Sequence, residues 1–327
     1  MRSLATLLLL LSCGSMRTSA SVFHVAVWGS DSSPGSAEAP FRTVMRGVAA
    51  AGPGDTVLVA DGVYLHESSV TEGDQPSAGQ ASPVALNRSG APDAWITIQA
   101  EHRWGAVLDC ELQCDAYIDL RNAAYVSIQD FVITRGNKEG IHSNDAAHDI
   151  VLRGNRFEYI ANRESTTLYG LDGVYISPKC HHFVIDRNVF HDIGRTNPGQ
   201  LDHGLYIQGQ NISVTNNTFY NIVRGWSIQL ADGAQDLVIA GNTFLFPNES
   251  ARGGQIMLWN RQSNVAIHDN VFYQPFRQAV ASYQSTATGC SIDHNLVVGV
   301  PAITYDATAC VLNNNTIIMT PGTQTTQ

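Results

Sequence analysis

The sequence predicts an all-β chain wound as a parallel β-helix of about ten coils. Three observations predict it: a short motif that returns from residue 150 onward, an asparagine column within it, and unequal spacing between the copies. The copies read IVLRGNRF, FVIDRNVF, ISVTNNTF, LVIAGNTF, VAIHDNVF, CSIDHNLV and CVLNNNTI. Aligned, they stack Asn155, Asn188, Asn217, Asn242, Asn270, Asn295 and Asn315, and two places later Phe157, Phe190, Phe219, Phe244, Phe272, Val297 and Ile317. Between asparagines the chain alternates apolar and polar residues with period two and is rich in β-branched side chains, the pattern of strands. Spacings of 20 to 33 residues leave room for three short strands per coil, with the excess leaving at one corner. Asparagine suits such a corner, because its amide donates to one rung, accepts from the next, and tolerates a left-handed backbone.

The elements follow in order. Residues 1–20, MRSLATLLLLLSCGSMRTSA, read as an export signal with one early arginine and a short apolar stretch. Cleavage after Ala20 gives a secreted or periplasmic protein; cleavage before Cys13 gives an outer-membrane lipoprotein. Residues 21–327 form a single β-helix domain, capped at the N-terminus by about 21–55, where Phe41, Val44, Met45 and Val48 share one face of a short helix ended by Gly52-Pro53-Gly54. Early strands are expected in TVLVADGVY, AWITIQA, AYIDLR and YVSIQDFVIT. The third strand of later coils opens EGIHSN, DGVYIS, HGLYIQ, GWSIQL, GQIMLW and QAVASY.

Composition narrows the function. The chain has 327 residues, a formal charge of −10 and 15% charged residues, with two lysines beside seventeen arginines. It has no basic stripe of the kind nucleic acid requires, and its one apolar run is about half the roughly 20 residues of a transmembrane span. Cys110 and Cys114 are placed to close a local loop, and Cys290 and Cys310 occupy near-equivalent positions of neighbouring coils, within disulfide reach. That leaves Cys180 unpaired. The adjacent His181-His182 reads as turn surface.

Residues 27–69, VWGSDSSPGSAEAPFRTVMRGVAAAGPGDTVLVADGVYLHES, together with the asparagine column, resemble the pectate-lyase-like right-handed β-helix superfamily, notably family-nine pectate lyases and chondroitinase-B-type alginate lyases. The resemblance implies right-handed winding and a carbohydrate-active role. The architecture also serves epimerases, glycoside hydrolases and non-catalytic surface proteins. The aspartate-rich calcium motif of family-nine lyases has no counterpart here, and neither Lys138 nor Lys179 matches the context of their catalytic lysine.

Relatives of that fold bind saccharides along the third-strand sheet, so its outward side chains are the candidate site. With Val174, Ile176, Leu205 and Ile207 inward, the outward column includes Asp119, Arg121, His142, Asn144, Tyr175, Tyr206, Gln208, Gln229, Trp259 and Tyr283. Eliminative cleavage of a uronic-acid polymer needs a base for the C5 proton, an acid for the departing O4 and a neutraliser for the carboxylate. His203 is the candidate base, Tyr206 or Tyr175 the acid, and Arg195 or Arg224 the neutraliser. His142, Asn144, Gln208, Gln229, Trp259, Tyr283 and Arg121 are candidates for substrate binding, and Asp119, Asp172 and Asp202 for oxygen ligands of a calcium ion. No organic cofactor is expected. The expected partner is an acidic polysaccharide, taken by a monomer as lyase, C5-epimerase or glycoside hydrolase, or bound without turnover as an adhesion module.

Overall fold

The computed structural model describes residues 19–66, 82–86, 88–161, 170–195, 202–223, 225–245, 255–275, 277–307 and 309–319. Residues 1–18 of the export segment, with Cys13, lie outside the described residues, as do Arg224 and the final residues 320–327. Twenty-nine short strands and one helix make up the described chain.

The strands pair only with their equivalents one coil above and below, all in parallel, as three sheets of 11, 8 and 10 strands. This is a right-handed parallel β-helix. Its core is one continuous apolar cluster fed by all three sheets, and the ten-stranded sheet contributes its phenylalanines. Phe157, Phe190, Phe219, Phe244 and Phe272 stack nearly parallel, with centroids 4.7 to 5.1 Å apart and no exposure. That separation is close to the 4.8 Å rung spacing, so the backbone ladder itself sets the offset of the rings.

At the corner two residues earlier, the asparagine amides between the ends of the column use both donor hydrogens and accept two bonds. Asn217 Nδ2 donates to the Ile185 carbonyl (2.8 Å) and to Asn242 Oδ1 (3.0 Å), while its Oδ1 accepts from the Asn188 backbone N–H (2.8 Å) and Asn188 Nδ2 (3.0 Å). The same pattern runs from Asn155 to Asn315 and satisfies backbone groups that the turn would leave buried and unpaired.

The N-terminal end is covered by the helix Val44–Ala50, which turns Val44, Met45, Gly47 and Val48 inward. Thr43 caps it by accepting from the Arg46 N–H at 3.1 Å, and Asp31 holds Thr43 in turn. Disulfides join Cys110 to Cys114 and Cys290 to Cys310, the latter across neighbouring coils with Cα atoms 4.5 Å apart. Cys180 is free and buried. Among the described residues no helix is long and apolar enough to cross a membrane.

Candidate active site

The site is built on the eight-stranded sheet, by strands Glu139–Ser143, Asp172–Ile176, His203–Ile207 and Ile228–Leu230. Their register is fixed by glycines. A Cβ on Gly173 would meet the Gly204 carbonyl oxygen at 2.5 Å and the Phe190 ring at 3.2 Å; Gly140 and Gly204 face Phe157 and Phe219 in the same way. Only glycine lets the strand start lie this close to the phenylalanine stack. The residue before each glycine is therefore brought into one file: Glu139 pairs with Asp172, and Asp172 with His203.

A second file lies three residues on, in the order Asp119, His142, Tyr175, Tyr206, Gln229, Met257. Here rings stack rung on rung, His142 on Tyr175 at 5.3 Å and Tyr175 on Tyr206 at 5.6 Å. Tyr175 and Tyr206 are half-buried and lie outside the central core, as the outward reading of the strand expects.

The two files meet at His203. Its Nδ1 lies 2.8 Å from Asp172 Oδ1, its ring stacks on Trp226 at 5.5 Å, and the Tyr206 ring meets it edge-on at 5.6 Å. When Asp172 is ionised it only accepts, so Nδ1 then carries the hydrogen and Nε2 presents a lone pair. That Nε2 is buried and finds no hydrogen-bond partner among the described residues. His142 and Glu139 form a similar but looser pair, an ion-pair contact at 3.5 Å, and neither His142 nitrogen has a hydrogen-bond partner among the described residues.

Burial dominates the ionisation of this cluster. It pushes the carboxyls of Asp172 and Glu139 above the usual range, against the opposing pull of His203 and His142. At His142 burial pulls downward, yet the Glu139 carboxylate beside it and Asp119 across the ladder outweigh both that and Lys138, leaving the imidazole raised. The Tyr206 hydroxyl is pushed up to about 12 by burial and the Asp172 charge, and Tyr175 moves the same way for the same reasons. Both phenols hold their protons at neutral pH.

The raised groups give a pH prediction. A folded state that holds the His142 proton more tightly than the unfolded chain has a stability contribution complete below about pH 6.5 and lost as pH rises through the folded value. Glu139 and Asp172 act in the same direction from about pH 4 upward, since burial favours their protonated forms. The melting midpoint should therefore fall more steeply with rising pH in the wild type than in His142→Gln, measured by circular dichroism from about pH 5.5 to 8.5. Parallel slopes would show that the cluster does not hold its proton.

Several sequence expectations are corrected. Arg195 does not face a substrate: it is 1% exposed, and its backbone N–H and guanidinium hold both Asp202 oxygens, at 2.7 Å from the N–H and at 2.9 and 2.6 Å from the guanidinium. Asp202 also accepts the Leu171 N–H, so the pair ties a corner of the coil and is not available as a calcium ligand. Asp119 accepts the Arg121 N–H and lies 3.5 Å from its guanidinium. Among the described residues Asp119, Asp172 and Asp202 do not converge into a metal-binding group. Arg224, the other proposed neutraliser, lies outside the described residues.

Of the substrate-binding candidates, Gln208 accepts the Tyr175 hydroxyl at 3.1 Å and Gln229 lies buried in the tyrosine file. Asn144 is exposed at the strand end. Trp259 pairs with Tyr283 further along the sheet and packs on an outer apolar cluster of Trp226, Met257 and Ala281. Glu139 and Trp226 were missed, although aligning EGI, DGV and HGL on their glycines places Glu, Asp and His in one column.

A parallel β-helix with an ionisable cluster on one outer wall defines the class. The chain belongs to the right-handed β-helix family, whose profile, right handed beta helix region, matches residues 109–244 and 165–318. A second profile, Pel9A-like right handed beta helix region, matches residues 23–166. Among solved structures, pectate lyase Pel9A is 17% identical, with 91% of this chain and 80% of that one covered and a TM-score of 0.60. GH136 lacto-N-biosidase from Eubacterium ramulus is 10% identical over 91% and 68% of the two chains, with a TM-score of 0.52. A rhamnogalacturonan lyase is 14% identical over 85% and 68%, with a TM-score of 0.50. At these identities the likeness concerns the fold. No curated protein is significantly similar in sequence.

Proposed function

We propose that this chain is an exported carbohydrate-active enzyme, a lyase that cleaves a uronic-acid-containing polysaccharide by β-elimination. The observation that carries the reading is the His203–Asp172 pair: a buried carboxyl group fixes a ring that meets Tyr206 edge-on and whose Nε2 has no hydrogen-bond partner among the described residues. In the proposed step Nε2 takes the C5 proton, the C5–H electrons form the C4–C5 double bond, and the C4–O4 bond breaks. Tyr206 delivers its proton to O4 and recovers one from the His203 imidazolium, so the net transfer is from C5 to O4. Its hydroxyl remains protonated well above neutral pH and serves as an acid. His142, pulled down by burial but drawn upward by Glu139 and Asp119, replaces the arginines as the group facing the substrate carboxylate.

The fold is shared with a pectate lyase and a rhamnogalacturonan lyase, and the two disulfides suit an oxidising, extracellular or periplasmic compartment. Calcium has no part in this reading, because Asp119 and Asp202 commit their oxygens to Arg121 and Arg195.

A second reading, glycoside hydrolysis, draws on Glu139 and Asp172, in register on adjacent rungs and both raised, as a proton-holding acid requires. The test is a panel of pectate, alginate, glycosaminoglycan and neutral glycans, each with calcium and with chelator. Elimination releases an unsaturated uronate seen by ultraviolet absorbance, and the expected result is that signal on an acidic polymer, undiminished by chelator. New reducing ends without absorbance would favour hydrolysis, and binding without either would favour an adhesion module.

A further inference from the structure

On the eleven-stranded sheet, a different wall from the site above, strands His148–Arg153 and His181–Asp186 lie side by side with His148 opposite His181. Their rings stack with centroids 4.8 Å apart and planes within 10°. In a regular strand Asp149 would point away from His148, but its φ of +53° turns the chain so that Asp149 Oδ2 lies 2.8 Å from His148 Nδ1. The next coil repeats the device. His182, at φ +57°, brings its Nδ1 to 2.6 Å from His181 Nδ1, a contact in which only one of the two nitrogens can carry a proton.

The left-handed position recurs in the following coils at Asn211, Asp236 and Asn264, with φ of 55°, 56° and 54°. Those are residue types that such a turn favours on local grounds. The positions in register with the histidines are there Gln210, Gln235 and Ser263. Turn geometry therefore accounts for a polar residue at each rung. It does not account for three histidines and an aspartate concentrated on two adjacent rungs.

We propose that His148, Asp149 and His181 form a binding site for a divalent transition-metal ion of the zinc class. One ligand atom from each already lies within 4.8 Å of the others. Bonds of about 2.0–2.2 Å bring ligand atoms to roughly 3.3 Å apart in a tetrahedron, so the partly exposed side chains close by roughly an ångström and a half through χ rotation. Two imidazoles with one carboxylate favour zinc, cobalt, nickel or copper over calcium, which takes six to eight oxygens. Asp149 and His182 border an open surface groove of 370 Å³ shared with Trp95 and Val238, which gives an ion a path in and leaves room for water as a further ligand. The two strands joined directly follow, in the chain, those that carry Glu139 with His142 and Asp172 with Tyr175, so the ion would clip together the coils that bear the candidate site.

The test uses the full-length protein stripped with chelator, titrated with zinc by calorimetry and with cobalt by visible absorption. His148→Gln and His181→Gln are the variants, since Gln210 and Gln235 occupy the matching places in neighbouring coils. The expected result is one zinc per chain, a raised melting midpoint with zinc, and affinity reduced at least about tenfold in each variant, the loss found even for an outer partner of a ligand. No zinc binding by the wild type, or equal affinity in His181→Gln, would overturn the proposal. Neither readout depends on catalytic activity.

Discussion

Exchanging His203 for glutamine is expected to reduce elimination by about 10²- to 10⁴-fold, the range for loss of a positioned general base. Glutamine keeps a donor toward Asp172, so that carboxyl is not left buried and alone, and the fold should survive, as judged by an unchanged circular dichroism spectrum. Asp172→Asn should also slow the reaction, because an amide can donate to Nδ1 and so favour the tautomer that hides the lone pair. Tyr206→Phe removes the proton donor while keeping the ring that meets His203. Initial rates on the responsive polymer provide the measurement. Retained turnover in His203→Gln and in Tyr206→Phe would remove the elimination mechanism.

Truncating Asn217 to alanine should be among the most destabilising single changes in the chain. Four hydrogen bonds vanish, and the Asn188 N–H, the Ile185 carbonyl and the facing atoms of Asn188 and Asn242 are left buried. At about 1–3 kcal/mol per unsatisfied group, partly relieved by relaxation, the loss is on the order of 3–5 kcal/mol. Its neighbour is the control. Asn216 points outward, donates to Asp186 at 2.9 Å and has φ +56°, a conformation that glycine adopts freely. Asn216→Gly should cost under about 1 kcal/mol. The two variants are compared by urea unfolding, and similar midpoints would show that the asparagine file does not hold the coils together.

The contrast between these adjacent asparagines shows what could be read from the letters. Columns such as Asn217 and Phe219 are visible because one coil geometry repeats and imposes the same side chain at each rung. The outward placing of Tyr175 and Tyr206 follows from strand alternation, and Cys290 with Cys310 from their equivalence in the repeat. The Asp172–His203 pair was harder to see. LDGVYIS and LDHGLYIQ align by eye on Leu-Asp, whereas the chain aligns them on Gly173 and Gly204, because those positions must pass the phenylalanine stack without a Cβ. A shift of one residue exchanges Asp202 for His203 as the partner of Asp172. The Arg195–Asp202 pair was invisible for another reason: two residues seven apart in a variable corner meet only through the path of that corner, which no periodicity encodes.

The metal cluster follows a similar logic. His181-His182 reads as a polar turn on its own. Only the rung register that sets His148 beside His181, with the left-handed backbone at Asp149, turns adjacent letters into converging donors.

The claim at the centre of this account is that the outer wall bearing His203, Asp172 and Tyr206 takes the polysaccharide. A crystal structure of the His203→Gln protein with an acidic oligosaccharide of the polymer that the panel identifies tests it most directly. The account predicts a uronate whose C5 hydrogen points at the amide that replaces Nε2, within about 3–3.5 Å, with its O4 beside the Tyr206 hydroxyl and its carboxylate toward His142. An oligosaccharide seated on another wall, or one on this wall with C5 turned away from residue 203, would contradict it.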